Sequence, residues 1–196
     1  MRLTVNGEPL SKERVEIEYQ RLLKAVGARL VPEELARRSR EFQRQALEHA
    51  IGRQLLLLEA RRLDIRVPPE SVDRAVAKIS ESCGGEAGFR SHLKKLKLSI
   101  ESLRRQIQEA QETEQLIEQI TSEYAEPTED EITAHFNDHS HEFLRPDTPP
   151  ESQPSLATVR DRIRRRLIAA RKNELLTATL ARLRQSAVIR ESETDS

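Results

Sequence analysis

Apolar residues recur along this chain at three- and four-residue spacing, which predicts a protein built almost wholly from amphipathic helices. The opening is the exception. Leu3-Thr4-Val5 followed by Asn6-Gly7 reads as a short strand and a turn. Ser11 then offers an N-cap to a first helix whose apolar positions Val15, Tyr19, Leu22, Leu23 and Val26 share one face, with Gly27 as its stop. Pro32 suits the first turn of a second helix running to about Leu63, striped by Phe42, Ala46, Leu47, Ala50, Ile51, Leu55 and Leu58. At 1.5 Å per residue that helix is roughly 45 Å long, enough to overhang a small core.

Asp64 to Pro69 breaks the pattern. A short helix follows from about Glu70 to Ser82, with Val72, Val76 and Ile79 inward. The Gly84-Gly85 turn leads to another short helix carrying Phe89 and Leu93. A longer one is expected from Ile100 to about Tyr124, striped by Leu103, Ile107, Ala110, Ile117 and Ile120. Thr128-Glu129-Asp130-Glu131 is a capping box opening a helix with Ile132 and Phe136 that ends near Ser140. Residues 145–154 hold four prolines and no aliphatic side chain, the composition of an extended linker. The last helix is expected from about Ser155 to Gln185, with Val159, Ile163, Leu167, Ala170, Leu176, Leu180 and Leu183 on its buried side. Ala187-Val188-Ile189 is a second strand candidate, and residues 191–196 form a polar tail. If the two strands pair, the N- and C-terminal segments build one domain together.

Composition narrows the function. Charged residues make up 34% of the chain and aromatics only 3%, so aliphatics must form the core of an ion-rich helical protein. Basic and acidic residues number 33 each, and a neutral balance gives no global reason to expect nucleic acid or an anionic membrane as partner. Cys83 is the single cysteine, so no internal disulfide forms, and no His/Asn pattern marks it as a nucleophile. No run approaches the roughly 20 apolar residues of a membrane span. The N-terminus has no signal-peptide apolar run, so the chain reads as cytoplasmic, or as periplasmic if the sequence is a mature form.

Candidate chemistry is sparse. His135 and His139 lie one helical turn apart with His141 beyond, but no third ligand at firm spacing accompanies them, and they read as structural or solvated rather than as a metal site. Arg160, Arg162, Arg164, Arg165, Arg166, Arg171 and Lys172 make the last helix basic; acidic segments elsewhere offer internal partners, and no helix-turn-helix spacing supports nucleic-acid binding. Carboxylates abound beside Lys or Arg on helix faces, with nothing to separate a general acid from a general base. Phosphate-binding glycine loops and nucleophile elbows are missing, so no cofactor and no catalytic residue is expected.

The order of segments resembles the SurA-like family of bacterial foldases and chaperones, which includes SurA, PpiC and PrsA. The opening LTVNGEPLSKERV resembles the family's strand, Val-Asn-Gly turn and capped helix. ALEHAIGRQLLLLEARRLDIRVPPESVDRAVAKI resembles its signature core, and GGEAGFRSHLKKLKLSIESLRRQIQ the next two helices. PTEDEITAHFNDHSHEFLRP resembles the segment leading into the isomerase domain, and VRDRIRRRLIAARKNELLTATLARLRQSAVI the helix and strand that follow it. Between those last two segments relatives usually carry a parvulin domain; here the Pro-rich linker stands in its place, and the strand with the catalytic histidine has no counterpart.

The resemblance implies a mainly helical chaperone domain akin to the SurA N-terminal and trigger-factor C-terminal folds. It would comprise residues 1–144, the linker 145–154, and residues 155–190 returning to complete the domain, before a disordered tail at 191–196. It implies an ATP-independent holdase for unfolded or nascent polypeptides, without prolyl isomerase activity. A dedicated maturation scaffold for one partner, like the nitrogenase-maturation branch, and an isomerase by family name only are the alternatives. An exposed apolar face could also be covered by a second copy, giving a homodimer. Tyr19, Leu23, Phe42, Phe89 and Leu93 are the expected client-binding residues.

Overall fold

The computed structural model describes residues 2–26, 30–143 and 153–192. Among them are eight helices and three short strands. Gly27 as helix stop, residues 145–152 of the Pro-rich linker and the tail beyond Ser192 lie outside the described residues. Two compact units divide the chain: Met1–Ile117 with Leu180–Ser196, and Glu118–Thr179.

The first unit opens on a hairpin. Strand β1 (Arg2–Val5) turns through Asn6 and Gly7, both at positive φ (52° and 84°), into β2 (Glu8–Leu10). Positive φ at both central residues is what a tight hairpin turn demands, and Asn-Gly supplies it at least cost. The second strand went unread in the sequence, because Glu8-Pro9-Leu10 is short and contains a proline. Pro9 is nevertheless tolerated, since β2 is an edge strand in the order β2-β1-β3.

Strand β3 (Ile189–Ser192) pairs antiparallel with β1, from Arg2↔Ser192 to Val5↔Ile189. It starts two residues later than the Ala187-Val188-Ile189 pattern suggests. Asn6 explains the shift: its N–H donates to the Val188 carbonyl and its Oδ1 accepts from the Val188 N–H, both at 2.8 Å. Val188 is thereby clamped to the turn, and the ladder begins beyond it. Glu191 and Ser192, read as tail, belong to the strand.

Helix α1 (Lys12–Val26) starts where Ser11 Oγ accepts from the Arg14 N–H at 3.3 Å. It packs along α2 (Pro32–Arg62), which opens on proline and buries Phe42, Ala46, Ala50, Ile51, Leu55, Leu56, Leu57 and Ala60. Leu56 and Leu57, rather than Leu47 and Leu58, take the fully buried places, because α2 also packs on β1 and β2 and its leucine run is enclosed on more than one side.

Three successive helices stop in the same way. Beyond α2, the Ile65 N–H reaches the Ala60 carbonyl at 2.9 Å and Asp64 N–H that of Arg61 at 3.0 Å, with Asp64 at φ 55°. After α3 (Pro69–Ser82), Gly85 N–H bonds Ser80 O with Gly84 at φ 81°. After α4 (Glu86–Leu96), Leu98 N–H bonds Leu93 O with Lys97 at φ 54°. Each is a left-handed cap that satisfies the last carbonyls of its helix.

Helix α5 (Ile100–Ser122) differs most from expectation. Glu112, Thr113 and Leu116 are its buried residues, while Ala110 is exposed and Leu103 and Ile107 are half-buried. Two carboxylates on the same side explain this orientation, for Glu109 and Glu112 both approach Arg61 of α2. The apolar stripe consequently borders open space.

The second unit runs from the last turn of α5 through α6 (Glu129–Asp138) and α7 (Ser140–Phe143) into α8 (Leu156–Gln185), of which residues up to Thr179 belong to it. The helix expected to end near Ser140 stops at Asp138, and a separate turn carries Phe143. Ile132, Phe143, Val159 and Ile163 form the buried cluster, with Phe136, Leu156 and Leu167 packed against it. Ala170, expected inward, is exposed. The apolar residues of α8 serve different cores, Ile163 in the second unit and Leu180 beside Gly52 in the first, so they do not follow one stripe.

The capping box is present in full: Thr128 Oγ1 accepts from Glu131 N–H at 3.2 Å, and Glu131 Oε2 accepts from Thr128 N–H at 2.7 Å. Thr128→Ala is expected to lower stability by about 1 kcal/mol, read as a shift in the urea midpoint at constant slope.

Candidate functional site

An open groove of about 250 Å³ lies between α1, α2 and α5. Its floor is aliphatic: Ile17, Ala50, Leu57, Leu103, Ile107 and Ala110. Its rim is ionic, with Arg14, Arg21 and Arg53 against Glu18 and Glu109. These charges are paired rather than free. Glu18 accepts from Arg21 at 2.6 Å and lies 3.3 Å from Arg53, and Arg14 pairs with Glu109. Burial is the first cause that lowers the Arg53 pKa, followed by the nearby Arg21 charge.

Behind the rim a polar network ties four elements together. Gln54 is only 2% exposed. Its Oε1 accepts from Arg14 Nη1 at 2.5 Å, and its Nε2 donates to Glu8 at 3.2 Å. Arg61 donates to Glu8 at 3.3 Å and to Glu109 at 2.9 Å. Helices α1, α2 and α5 and strand β2 are thus joined by side-chain hydrogen bonds beside the groove. Sequence reasoning missed this set. The available signal was a glutamine four residues after Ala50, directly before the leucine run Leu55–Leu58.

A second groove, of about 630 Å³, opens along α3 and α4 to the start of α5. Val76, Phe89, Leu93, Leu98 and Ile100 line it, with Glu86, Arg90 and Lys94 at its edge. A shallower hollow on another side of α4 is lined by Ile79, Ser82, Cys83, Gly88, Ser91, His92 and Lys95.

The five residues expected to bind clients divide between these surroundings. Phe89 and Leu93 line the α3–α4 groove together, although Phe89 is itself buried. Tyr19, Leu23 and Phe42 lie outside all three hollows. Tyr19 and Leu23 are half-buried on α1, and the Tyr19 hydroxyl lies 3.4 Å from Ser39 Oγ. Phe42 is 2% exposed, with the Arg38 guanidinium 5.0 Å above its ring.

In the second unit the His135 and His139 rings stack at 4.2 Å, and His139 Nδ1 lies 3.1 Å from the His135 carbonyl oxygen. Among the described residues no three His, Cys, Asp or Glu side chains are arranged to hold a metal ion. His135 Nε2 is buried without a partner. Burial, then the neighbouring His139 and Arg166 charges, push its pKa below the usual value. A depressed histidine stays neutral in the fold while the unfolded chain takes up its proton, so stability must fall as pH drops from about 6.5. Thermal unfolding at pH 7.5 and 5.5 is expected to show this loss, and His135→Phe to shrink it.

The basic face of α8 is met by acids within its own unit. Glu129 pairs with Arg160 at 2.5 Å and Arg164 at 3.0 Å, Glu142 pairs with Arg166, and Glu131 with Arg171. Arg162 and Lys172 instead stand over the rings of Phe143 and Tyr124, at 4.8 and 4.9 Å.

No described helix is long and apolar enough to cross a membrane. No parvulin domain is present among the described residues. Curated proteins give no match. Among solved structures, the chain resembles one reported for PEB4 and the periplasmic protein Cj1289, two SurA-like chaperones of Campylobacter jejuni, at 13% identity and a TM-score of 0.59. That likeness covers 97% of this chain and 98% of the other, and it concerns the fold. The family model described as the SurA-like N-terminal domain matches residues 3–117, which span β1 to α5. With more than half its length matched, the chain belongs to the SurA-like N-terminal domain family.

Proposed function

We propose that this protein is an ATP-independent holdase, which binds unfolded or partly folded polypeptides and lacks prolyl isomerase activity. The aliphatic floor of the α1–α2–α5 groove carries the reading. It leaves Leu103 and Ile107 half-buried, bordered by ion pairs that keep the rim in water. Apolar burial is non-directional, so such a floor accepts side chains of many sequences. Phe89 and Leu93 extend the binding surface along α3 and α4. We further propose that residues 1–144 and the returning helix serve as one chaperone module. The periplasmic description of Cj1289 favours the same compartment for this chain.

Light scattering of a chemically unfolded client, at equimolar ratio, tests the proposal. The full chain is expected to slow aggregation, and Ile107→Asp to lose most of that effect while its circular dichroism stays helical. A client that aggregates equally fast with and without the chain would overturn the proposal. Proline-peptide isomerisation is expected at the uncatalysed rate, and turnover above it would refute the non-enzymatic reading.

A further inference from the structure

The chain is neutral as a whole, but its charge is unevenly placed. Residues 73–105 hold eight basic and four acidic side chains, while the remaining residues hold 25 and 29. Most arginines elsewhere in the first unit's network are met by a carboxylate, as at Arg14, Arg53 and Arg61. On and after α4, as at Arg37, Arg40 and Arg44 of α2, several cations have no carboxylate in ion-pair range among the described residues. Arg90 pairs with Glu86, but among the described residues Lys94, Lys95 and Lys97 have no carboxylate in ion-pair range. Residues 90–98 contain four cations and no anion.

Of these, Lys94 and the paired Arg90 line the α3–α4 groove, while Lys95 lines the other hollow of α4. Lys94 stands at its edge beside Arg90, Lys97 sits in the left-handed cap that ends the helix, and Leu96 is 53% exposed nearby. Inside are Val76, Leu93, Leu98 and Ile100. The acid that lines the groove is Glu86, already taken by Arg90; Asp73 on α3 pairs with Arg104 at 2.5 Å, and Glu81 and Glu101 are exposed. The groove therefore combines an apolar interior with a margin of Glu86, Arg90 and Lys94, of which Lys94 is the cation left without a carboxylate in ion-pair range among the described residues. At about 630 Å³ it is large enough for several side chains of an extended peptide.

We infer that the α3–α4 groove selects client segments in which apolar side chains are flanked by acidic residues. This rests on the holdase reading and names the class of segment one of its grooves takes. Charge complementarity of this kind steers encounter and discriminates among partners more than it adds affinity, and salt screens it. An anionic membrane is the other surface that lysines attract. The geometry disfavours it, because the apolar residues lie inside a concave groove and Lys94 and Lys95 border different hollows of α4.

The test uses the full chain and three fluorescein-labelled peptides that share one apolar core, flanked by glutamate, glutamine or lysine. Fluorescence anisotropy at low salt is expected to give binding about tenfold tighter for the glutamate peptide than for the lysine peptide, a gap that closes to about twofold in 0.5 M salt. Lys94→Glu with Lys95→Glu, exposed positions that leave the core untouched, is expected to reverse the order. Equal affinity for all three peptides, no peptide binding at all, or a preference that survives the double charge reversal would overturn the inference. Binding to phosphatidylglycerol vesicles without discrimination among the peptides would do the same. Aggregation suppression by the unaltered chain is scored separately: if it persists while the peptides are not discriminated, this inference fails and the holdase reading stands.

Discussion

Ile163→Ala is expected to unfold the second unit. The side chain is fully buried with Ile132, Phe143 and Val159, the other buried members of the cluster among the described residues. Truncation removes its transfer energy and leaves a cavity that the surrounding side chains refill only in part, at a cost of about 2–5 kcal/mol. A small unit has little reserve against such a loss, since burial scales steeply with size. Hydrogen exchange should report it directly: the amides of Ile132 to Phe136 are expected to lose most of their protection, and protease cleavage between Glu118 and Thr179 to accelerate. Ile163→Val, which keeps most of the volume, should cost only about 0.5–1.5 kcal/mol. Unchanged exchange in the alanine variant would show that the cluster does not hold the unit together.

Gln54→Ala is expected to cost about 2–4 kcal/mol, although glutamine is rarely singled out as a structural residue. Its two hydrogen bonds go to charged partners, Arg14 and Glu8, and bonds of that kind contribute more than neutral ones. The substitution also leaves a void at a site 2% exposed. The effect should exceed that of Arg90→Ala, whose exposed pair with Glu86 contributes at most about 1 kcal/mol. Urea unfolding ranks the two, and a double-mutant cycle with Arg14→Ala should show coupling of about 1 kcal/mol. Gln54→Ala would also loosen the α1–α2–α5 walls, so client binding is expected to weaken with stability. A loss below about 0.5 kcal/mol would mean that the network is a bystander.

Helix boundaries were legible wherever local chemistry sets them. Pro32 opens α2, Gly84 and Gly85 close α3, and Thr128 with Glu131 opens α6, each within a residue or two of expectation. The caps at Asp64 and Lys97 were not legible as such, because a left-handed residue that is not glycine carries no mark in the sequence. The α5 face was misjudged for a different reason. Periodicity finds apolar residues that share a side, but it cannot tell a side that faces a core from one that borders a groove. Ion pairing of Glu109 and Glu112 with Arg61 decides that, and it joins residues about fifty positions apart. The same limit applies to the candidate site. Phe89 and Leu93, which stand out on a short helix, do share a groove, while Gln54 and Arg14 acquire meaning only when α1 and α2 are side by side.

The pairing of β1 with β3 also sets an order of assembly. Thr4 meets Arg190 across 186 positions, so the first strand must wait for nearly the whole chain before its second edge is filled. The segment Glu118–Thr179, by contrast, is contiguous and can collapse on local contacts as soon as it exists. During synthesis the α1–α2 pair would therefore stand with one strand unmatched while the later unit is already formed. A chain of this design passes through a stage in which it presents an open sheet edge, a surface able to pair with other extended segments until β3 arrives.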